Sequence, residues 1–510
     1  MRASPLVIAS VGLVLAVFTL WWAGSGTGLA DFGGDNAVYF LTANHYSPFG
    51  TAHAAAAEFA AQSIYPPLYP WVLALTGGGT SLAAAHRVTA GIILLAGLAV
   101  FMVARALGLS RALALAIVAV SALTRITLLE GLEIHSEHLY LALWMTAVAL
   151  LVGRDLRPPA LYAAALAIGA AYLTRSFGIT LVASFVVWLA LTRPPKALHA
   201  VLLVMLPAVL LTLGHHGNAR YLHEFARLYG ELSVGARLDA NLAAVWPAWQ
   251  GVFGERGQPG YLPALPAALA VLGALGLATR LRVGGFDAWS ACAYLALMIL
   301  WPYPAEYERM SYPLLPLTLI YAVLGARALL PRIDPALSGT VPLVLALAAI
   351  APFAALVQAR LMTPPADAGL HAYLRSSAWF DPDPAAAFPT LGYQRGIAEA
   401  LHDIGQSTQL PRKACLLATK PSVAALLSGL RAEGYPPFAL DTEALRDTLA
   451  RGRCHYLFMM MGASPSFPQY YYPYARLKPW LEVLKVYPNT LMPGQPVAML
   501  ARLRLNESKN

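Results

Sequence analysis

Residues 5–40 set the reading of the chain: PLVIASVGLVLAVFTLWW at 5–22 runs straight into AGSGTGLADFGGDNAVYF at 23–40. The first stretch carries no charge and approaches the roughly 20 apolar residues that cross a bilayer as a helix. Arg2 ahead of it gives the look of a secretory leader, but the segment behind it lacks a clear small-x-small cleavage site, so it reads as a retained first helix. The second stretch is abruptly acidic and Gly-rich, with Asp35 four residues before Tyr39. Its role depends on which side of a membrane it lies.

The rest of the composition supports a membrane solvent. Of 510 residues, 58% are hydrophobic and only 12% charged, against about one quarter charged in soluble domains. The formal net charge of +9 comes from basic residues set in pairs between apolar runs, with no basic helix and no aromatic-basic interleaving. That pattern argues against a nucleic-acid partner and for topology signals. Cys292, Cys415 and Cys454 are widely scattered and suggest neither a disulfide framework nor a zinc site.

Further apolar runs fall near 86–104, 112–129, 137–152, 160–174, 178–192, 198–213, 262–279, 286–301, 312–330 and 340–358, predicting about eleven transmembrane helices in a mainly α, polytopic chain. Alternate connections carry Arg105/Arg111, Arg154/Arg157, Arg193/Lys196, Arg280/Arg282 and Arg327/Arg332. Under the positive-inside rule these and the N-terminus are cytoplasmic. Residues 23–85, 214–261 and everything after about 359 are then periplasmic or extracellular, as expected for a multi-pass protein of a bacterial-type inner membrane. Asp35 lies on that exterior side.

The exterior connections are unlike the interior ones. TAHAAAAEFAAQ at 51–62 favours a short helix, and the Pro pair of SIYPPLYPWVLAL stops it and steers the chain back toward the membrane. HHGNARYLHEFARLYGE at 215–231 offers polar groups to a ligand or to a wet surface, and its adjacent His215 and His216 form no recognisable metal-ligand set with His53. No internal repeat is visible. Residues 359–510 change character: KACLLATK, CHYLFMMMG and WLEVLKVYPNT read as strands and 421–431 as a helix, predicting a small exterior α/β domain after a membrane domain at 1–358. The aromatic run FPQYYYPYARLKPW reads as a packed loop or a stacking surface.

Some charges are not requested by topology. Arg125, Arg175 and Arg309 sit near exterior helix ends, with Glu130, Glu133 and Glu137 around the second exterior turn. Such groups near a bilayer pair with one another, snorkel, or face a polar cavity. Arg309 lies in YPAEYERMSYPLLP, where Tyr and Pro gather at a helix mouth, and a guanidinium there is suited to clamping a phosphate. Asp35 has two readings, a base or a local backbone cap.

GDNAVYFLTA, YPPLYPWVLAL, the glutamate of IHSEHLY, LTRSFGI and ERMSYPLLPL follow one another in the order seen in the GT-C superfamily. Over most of the first 330 residues the chain resembles the protein O-mannosyltransferases and the lipid A aminoarabinose transferases. That resemblance implies an inverting glycosyltransferase with a polyprenyl-phosphate sugar donor and an exterior glycan, lipid or protein acceptor. It carries a first-loop acid to Asp35, a Pro-rich loop to Tyr65, Pro66, Pro67 and Tyr69, and a late phosphate-side arginine to Arg309. Tyr39, Glu137, Arg175 and Tyr307 are expected to line the substrate cavity. Asn36 stands where many relatives have a second acid, a departure that speaks against an acidic pair and against carboxylate metal binding; a lone base suffices, no cofactor is firmly implied, and dependence on a divalent metal is left open. A lipid-linked sugar transporter or flippase, and an oligosaccharide ligase or polymerase, are the alternatives that these residues leave open.

Overall fold

The computed structural model describes residues 5–24, 34–152, 157–214, 226, 230, 234–255, 257–330, 334–362, 384–411, 413–436, 440–460, 474–488 and 496–505. Asp31, His215, His216, Arg154, Arg332 and the first half of the FPQYYYPYARLKPW run lie outside them. The chain divides into two compact units. The first comprises Met1–Ser25, Ser63–Val72 and His86–Met362, and the second Gly26–Gln62, Leu73–Ala85 and Thr363–Asn510.

The first unit is helical. Among the described residues four helices are long and apolar enough to cross a membrane: Leu82–Ala106, Ala264–Arg282, Pro304–Leu329 and Ser338–Ala359. Shorter apolar helices fall at Val7–Thr19, Arg111–Leu123, Glu137–Leu151, Pro158–Thr174, Ser176–Thr192, Ala197–Pro207 and Phe286–Leu300. At 1.5 Å per residue the first of the long ones reaches about 37 Å, more than a hydrocarbon core of about 30 Å, whereas a 15-residue helix reaches only about 22 Å. Each apolar run read from the sequence therefore becomes helix, but the run at 112–129 is not one helix. Thr124 adopts an extended conformation, ψ 149°, and divides it into Arg111–Leu123 and Arg125–Glu130. Its hydroxyl donates back to the Ser121 carbonyl at 2.9 Å, which closes the first helix and places Arg125 at the start of the second.

Two small residues set the tightest packing in this unit. A Cβ at Gly276 would overlap the Tyr321 carbonyl, and one at Gly325 the Leu272 carbonyl, so only glycine lets Ala264–Arg282 and Leu315–Leu329 approach backbone to backbone. The interior is aromatic. Trp144 stacks on Tyr294 with ring centroids 5.1 Å apart, and its indole N–H donates to the Ser290 hydroxyl at 3.0 Å. Asp287 is fully buried and takes two hydrogen bonds from Arg280, at 2.7 and 3.0 Å, so that this charge pair enters the packed region already satisfied.

The second unit carries a five-stranded mixed sheet in the order β2-β1-β3-β5-β4, with β1 Cys415–Ala418, β2 Arg431–Glu433, β3 Tyr456–Met460, β4 Leu481–Pro488 and β5 Pro496–Leu503. β1 is parallel to both β2 and β3, whereas β5 is antiparallel to β3 and β4. Side chains alternate between faces, as the period of two requires. Leu416, Ala418 and Phe458 join the core made with Ile397, Leu401 and Val423, while Cys415, Leu417 and Leu457 join Leu445 and Leu449 on the other side. The strands expected within KACLLATK, CHYLFMMMG and WLEVLKVYPNT are present. The helix expected over 421–431 ends at Ser428, because Gly429 caps it with φ 72° and Arg431 opens β2.

The expectation for the cysteines is overturned. Cys415 and Cys454 form a disulfide across a sequence separation of 39. β1 and β3 are neighbours in register Leu416↔Tyr456, so a parallel crossover returns the second cysteine beside the first. Spacing along the chain does not reveal such a return.

Candidate functional site

Glu137, Arg175 and Arg309 come from three separate helix ends. Glu137 opens the helix Glu137–Leu151, where the backbone N–H groups of a first turn favour a carboxylate. Arg175 sits where Pro158–Thr174 stops: its φ of −154° and ψ of 135° break the helix and turn its side chain away from the helical path. Arg309 lies in the short helix Tyr307–Ser311, just ahead of Pro313 and Pro316. All three meet. The guanidinium groups of Arg175 and Arg309 pair with the same oxygen of Glu137, Oε1. Glu137 is fully buried, while Arg175 and Arg309 keep 14% and 22% of their side chains exposed.

Two guanidinium groups converge on one carboxylate oxygen, and the parts of the trio left uncovered are on the arginines. Planar N–H forks of this kind suit oxyanions, phosphate in particular.

Around the trio lies a polar shell that the sequence motifs only partly indicated. Glu130 pairs with His135 at 2.9 Å. His138 Nε2 bonds the Glu130 carbonyl at 2.9 Å and Nδ1 the Tyr312 hydroxyl at 2.9 Å. A carbonyl only accepts, so Nε2 carries the proton, and a neutral ring then accepts the Tyr312 O–H at Nδ1. His135, His138 and Tyr312 were not singled out from the sequence, although IHSEHLY and ERMSYPLLPL contain them. Glu130, His135 and Glu137 bring donor atoms within 4.8 Å of one another, which is close enough to surround a cation. A dication there would face the two guanidinium groups that already share Glu137, so the charge balance favours an anion beside it.

Tyr312 also lines an apolar cavity of about 330 Å³, together with Val14, Leu15, Ile93, Phe101 and Thr127. One residue thus faces the cavity and, through its hydroxyl, His138 next to Glu137.

The remaining expected residues separate. Tyr69 is buried, with its hydroxyl 2.9 Å from that of Thr89. Tyr65 and Pro67 are half-buried in the turn ahead of Leu68–Leu75. Tyr307 donates its hydroxyl to the carbonyls of Ile299 and Trp301 at 3.2 and 3.0 Å and is fully buried, which makes it an anchor for the preceding turn. All these belong to the first unit with the trio, whereas Asp35 and Tyr39 belong to the second. Tyr39 is 2% exposed; Asp35, first residue of the helix Asp35–Tyr46, is half-buried. Arg125 pairs with Glu255 and Glu308 and donates to the Gly251 carbonyl at 3.2 Å, which is the ion-pairing role.

No family model matches the chain. No curated protein matches it by sequence. The fold has solved counterparts. The crystal structure of ArnT from Cupriavidus metallidurans bound to undecaprenyl phosphate aligns over 100% of both chains with a TM-score of 0.51 at 16% identity. The apo state of the same protein aligns over 96% of this chain and 97% of that one, with a TM-score of 0.53 at 15% identity. The chain therefore shares the fold of those structures, a mainly α, multi-spanning membrane fold, with a mixed β-sheet in its C-terminal region.

Proposed function

We propose that this protein is an inverting membrane glycosyltransferase that moves one sugar from a polyprenyl-phosphate donor to an exterior glycan, lipid or protein acceptor. The observation that carries the reading is the convergence of Arg175 and Arg309, both partly exposed, on the buried Glu137, next to His138, whose ring meets Tyr312 at the wall of an apolar cavity. A lipid phosphate has both the charge and the tail that such an arrangement accommodates. Arg309 and Arg175 hold the phosphate, and part of the isoprenoid tail occupies the cavity beside Val14, Ile93 and Phe101. Tyr65, Pro67 and Tyr69 support that side of the substrate region. Asp35, with Tyr39 behind it in the same helix, serves the acceptor. The Asp35 carboxylate takes the acceptor's hydroxyl proton, the acceptor oxygen bonds the anomeric carbon, and the carbon–oxygen bond to phosphate breaks. Attack opposite the leaving group inverts the centre. Polyprenyl phosphate departs with its charge held by the arginines.

The basic pairs support a cytoplasmic N-terminus and cytoplasmic alternate connections, with residues 359–510 periplasmic or outside the cell, in a bacterial-type inner membrane. The Cys415–Cys454 disulfide supports that side for the second unit, since such bonds persist in oxidising compartments. The 1–358 segment is then the membrane domain with its exterior loops, of which 26–62, carrying Asp35, and 73–85 group with the C-terminal residues in one compact unit.

The test is transfer of a radiolabelled sugar from defined polyprenyl-phosphate donors by detergent-purified protein. Arg309→Ala should raise the donor KM and lower turnover while the protein stays monodisperse, and Arg309→Lys should recover only part, because an ammonium lacks the guanidinium fork. Equal donor use by wild type, R309A and R309K rejects the phosphate role. Translocation of lipid-linked sugar in vesicles without any transfer would return the chain to the flippase reading.

A further inference from the structure

The peptide group that precedes Asp35 is held from the far end of the chain. Gly34 has φ 103° and ψ −22°, a left-handed conformation that side chains rarely adopt. A Cβ there would also lie 3.3 Å from the Ser422 hydroxyl and 3.7 Å from Cδ of Lys420. The helix Asp35–Tyr46 that follows has no side-chain cap of its own. Its first turn depends instead on the Gly34 carbonyl. That oxygen accepts the Val38 N–H at 3.0 Å, which begins the helical ladder, and the Ser422 O–H at 3.1 Å. Both of its lone pairs are engaged.

Ser422 is 4% exposed and lies in the first turn of the helix Pro421–Ser428. The following residues, Val423 and Ala424, share a buried core with Ala37, in the first turn of the Asp35 helix. Packing at Ala37 sets the depth of that helix, and a directional hydrogen bond at Gly34 sets the orientation of its first peptide. Asp35 follows directly and remains half-buried, with its backbone fixed on both sides. A carboxylate that must meet one hydroxyl proton needs this kind of restraint, because a displacement near 1 Å costs about a hundredfold in rate.

We infer that Ser422, in the C-terminal α/β region, is a positioning residue for the reaction: its hydroxyl holds the Gly34 carbonyl and thereby aims Asp35. The inference rests on Asp35 being the acceptor-side base. It makes the C-terminal region a participant in turnover as well as a folded appendage.

The experiment compares full-length, detergent-purified wild type, S422A, S422T, D35N and D35N/S422A for sugar transfer from a polyprenyl-phosphate donor, with monodispersity and thermal unfolding followed in parallel. S422A should lower kcat by about ten- to a hundredfold with the donor KM unchanged. S422T retains the hydroxyl and should restore at least half of the wild-type kcat, which a mere packing role would not predict for a larger side chain. D35N/S422A should be no slower than D35N, since a misaimed base costs nothing once the base is gone. Wild-type kcat in folded S422A, with D35N inactive, overturns the positioning role while leaving the base intact. Full turnover by D35N removes the base and the positioning role with it. If S422A does not stay monodisperse, S422C, of similar size and a weaker donor, takes its place, and wild-type kcat in that variant overturns the inference in the same way.

Discussion

Removing the disulfide gives the prediction with the most direct arithmetic. The bond closes a loop with a sequence separation of 39, which contains β2 and the helices Pro421–Ser428 and Thr442–Arg451. In the chain-entropy account, closing a loop of that length removes about 13 cal/mol/K from the unfolded ensemble, or about 4 kcal/mol at 25 °C. For a unit approaching 200 residues, each kcal/mol moves Tm by roughly 2–4 °C, so C415S/C454S should unfold roughly 8–16 °C lower. The loss should fall on the sheet of the second unit, read by near-UV circular dichroism or by hydrogen exchange of β1 and β3. A mass-tagging maleimide assay checks the premise: without reductant the denatured wild type should take one label, at Cys292, and after reduction three. Three labels without reductant would refute the disulfide. So would release of stoichiometric zinc, because Cys415, Glu433 and Cys454 also lie close enough together to hold a metal. An unchanged Tm in C415S/C454S, with the bond proved present in wild type, would refute the loop-entropy estimate alone.

Asp35→Asn should retain a folded protein that binds donor but lose about 10²–10⁴-fold in transfer, as expected when a general base is removed; Asp31→Asn should be tolerated, and transfer assays on both variants, with binding checked, decide it. Gly276→Val inserts branched carbons where the Tyr321 carbonyl already sits, so it should destabilise by about 1–3 kcal/mol or more, measured as thermal aggregation in detergent. Acid should loosen the segment around His53. Burial holds the His53 pKa below the usual 6.5, against a hydrogen bond to the Leu426 backbone that raises it, so the unfolded chain takes up its proton first as pH falls. The neutral ring's contribution is complete above about pH 6.5 and is lost as pH falls from there toward the lower folded-state value. Hydrogen-exchange protection over residues 53–62, taken relative to the intrinsic rate at each pH, should fall across that window in wild type, and His53→Asn, which can still accept the Ala55 N–H that Nδ1 accepts at 3.2 Å, should keep it constant.

Local pattern carried much of the architecture. An uncharged run such as 5–22, the Ala-rich helix Ala56–Gln62 and the short apolar strands β1 and β3 each declare themselves, the run by its length, the helix by alanine's propensity and the strands by continuous apolar residues buried on both faces of the sheet. The trio at the candidate site was half legible. Glu137, Arg175 and Arg309 stood out as charges that topology did not require, but their common meeting point was not visible.

Sequence by itself determined that this chain lives in a membrane, where its apolar helices run, and which charges are unusual, since each follows from solvent preference acting residue by residue. Only the tertiary structure decided partners. It joined Glu137 to an arginine 172 positions away, returned Cys454 to Cys415, assigned Arg125 to ion pairing with Glu255 and Glu308, and brought Ser422 to Gly34 across 388 positions. Those pairings depend on how helix ends and strand crossovers converge. That convergence is a property of the packed chain as a whole, and no window of sequence contains both halves of any of them.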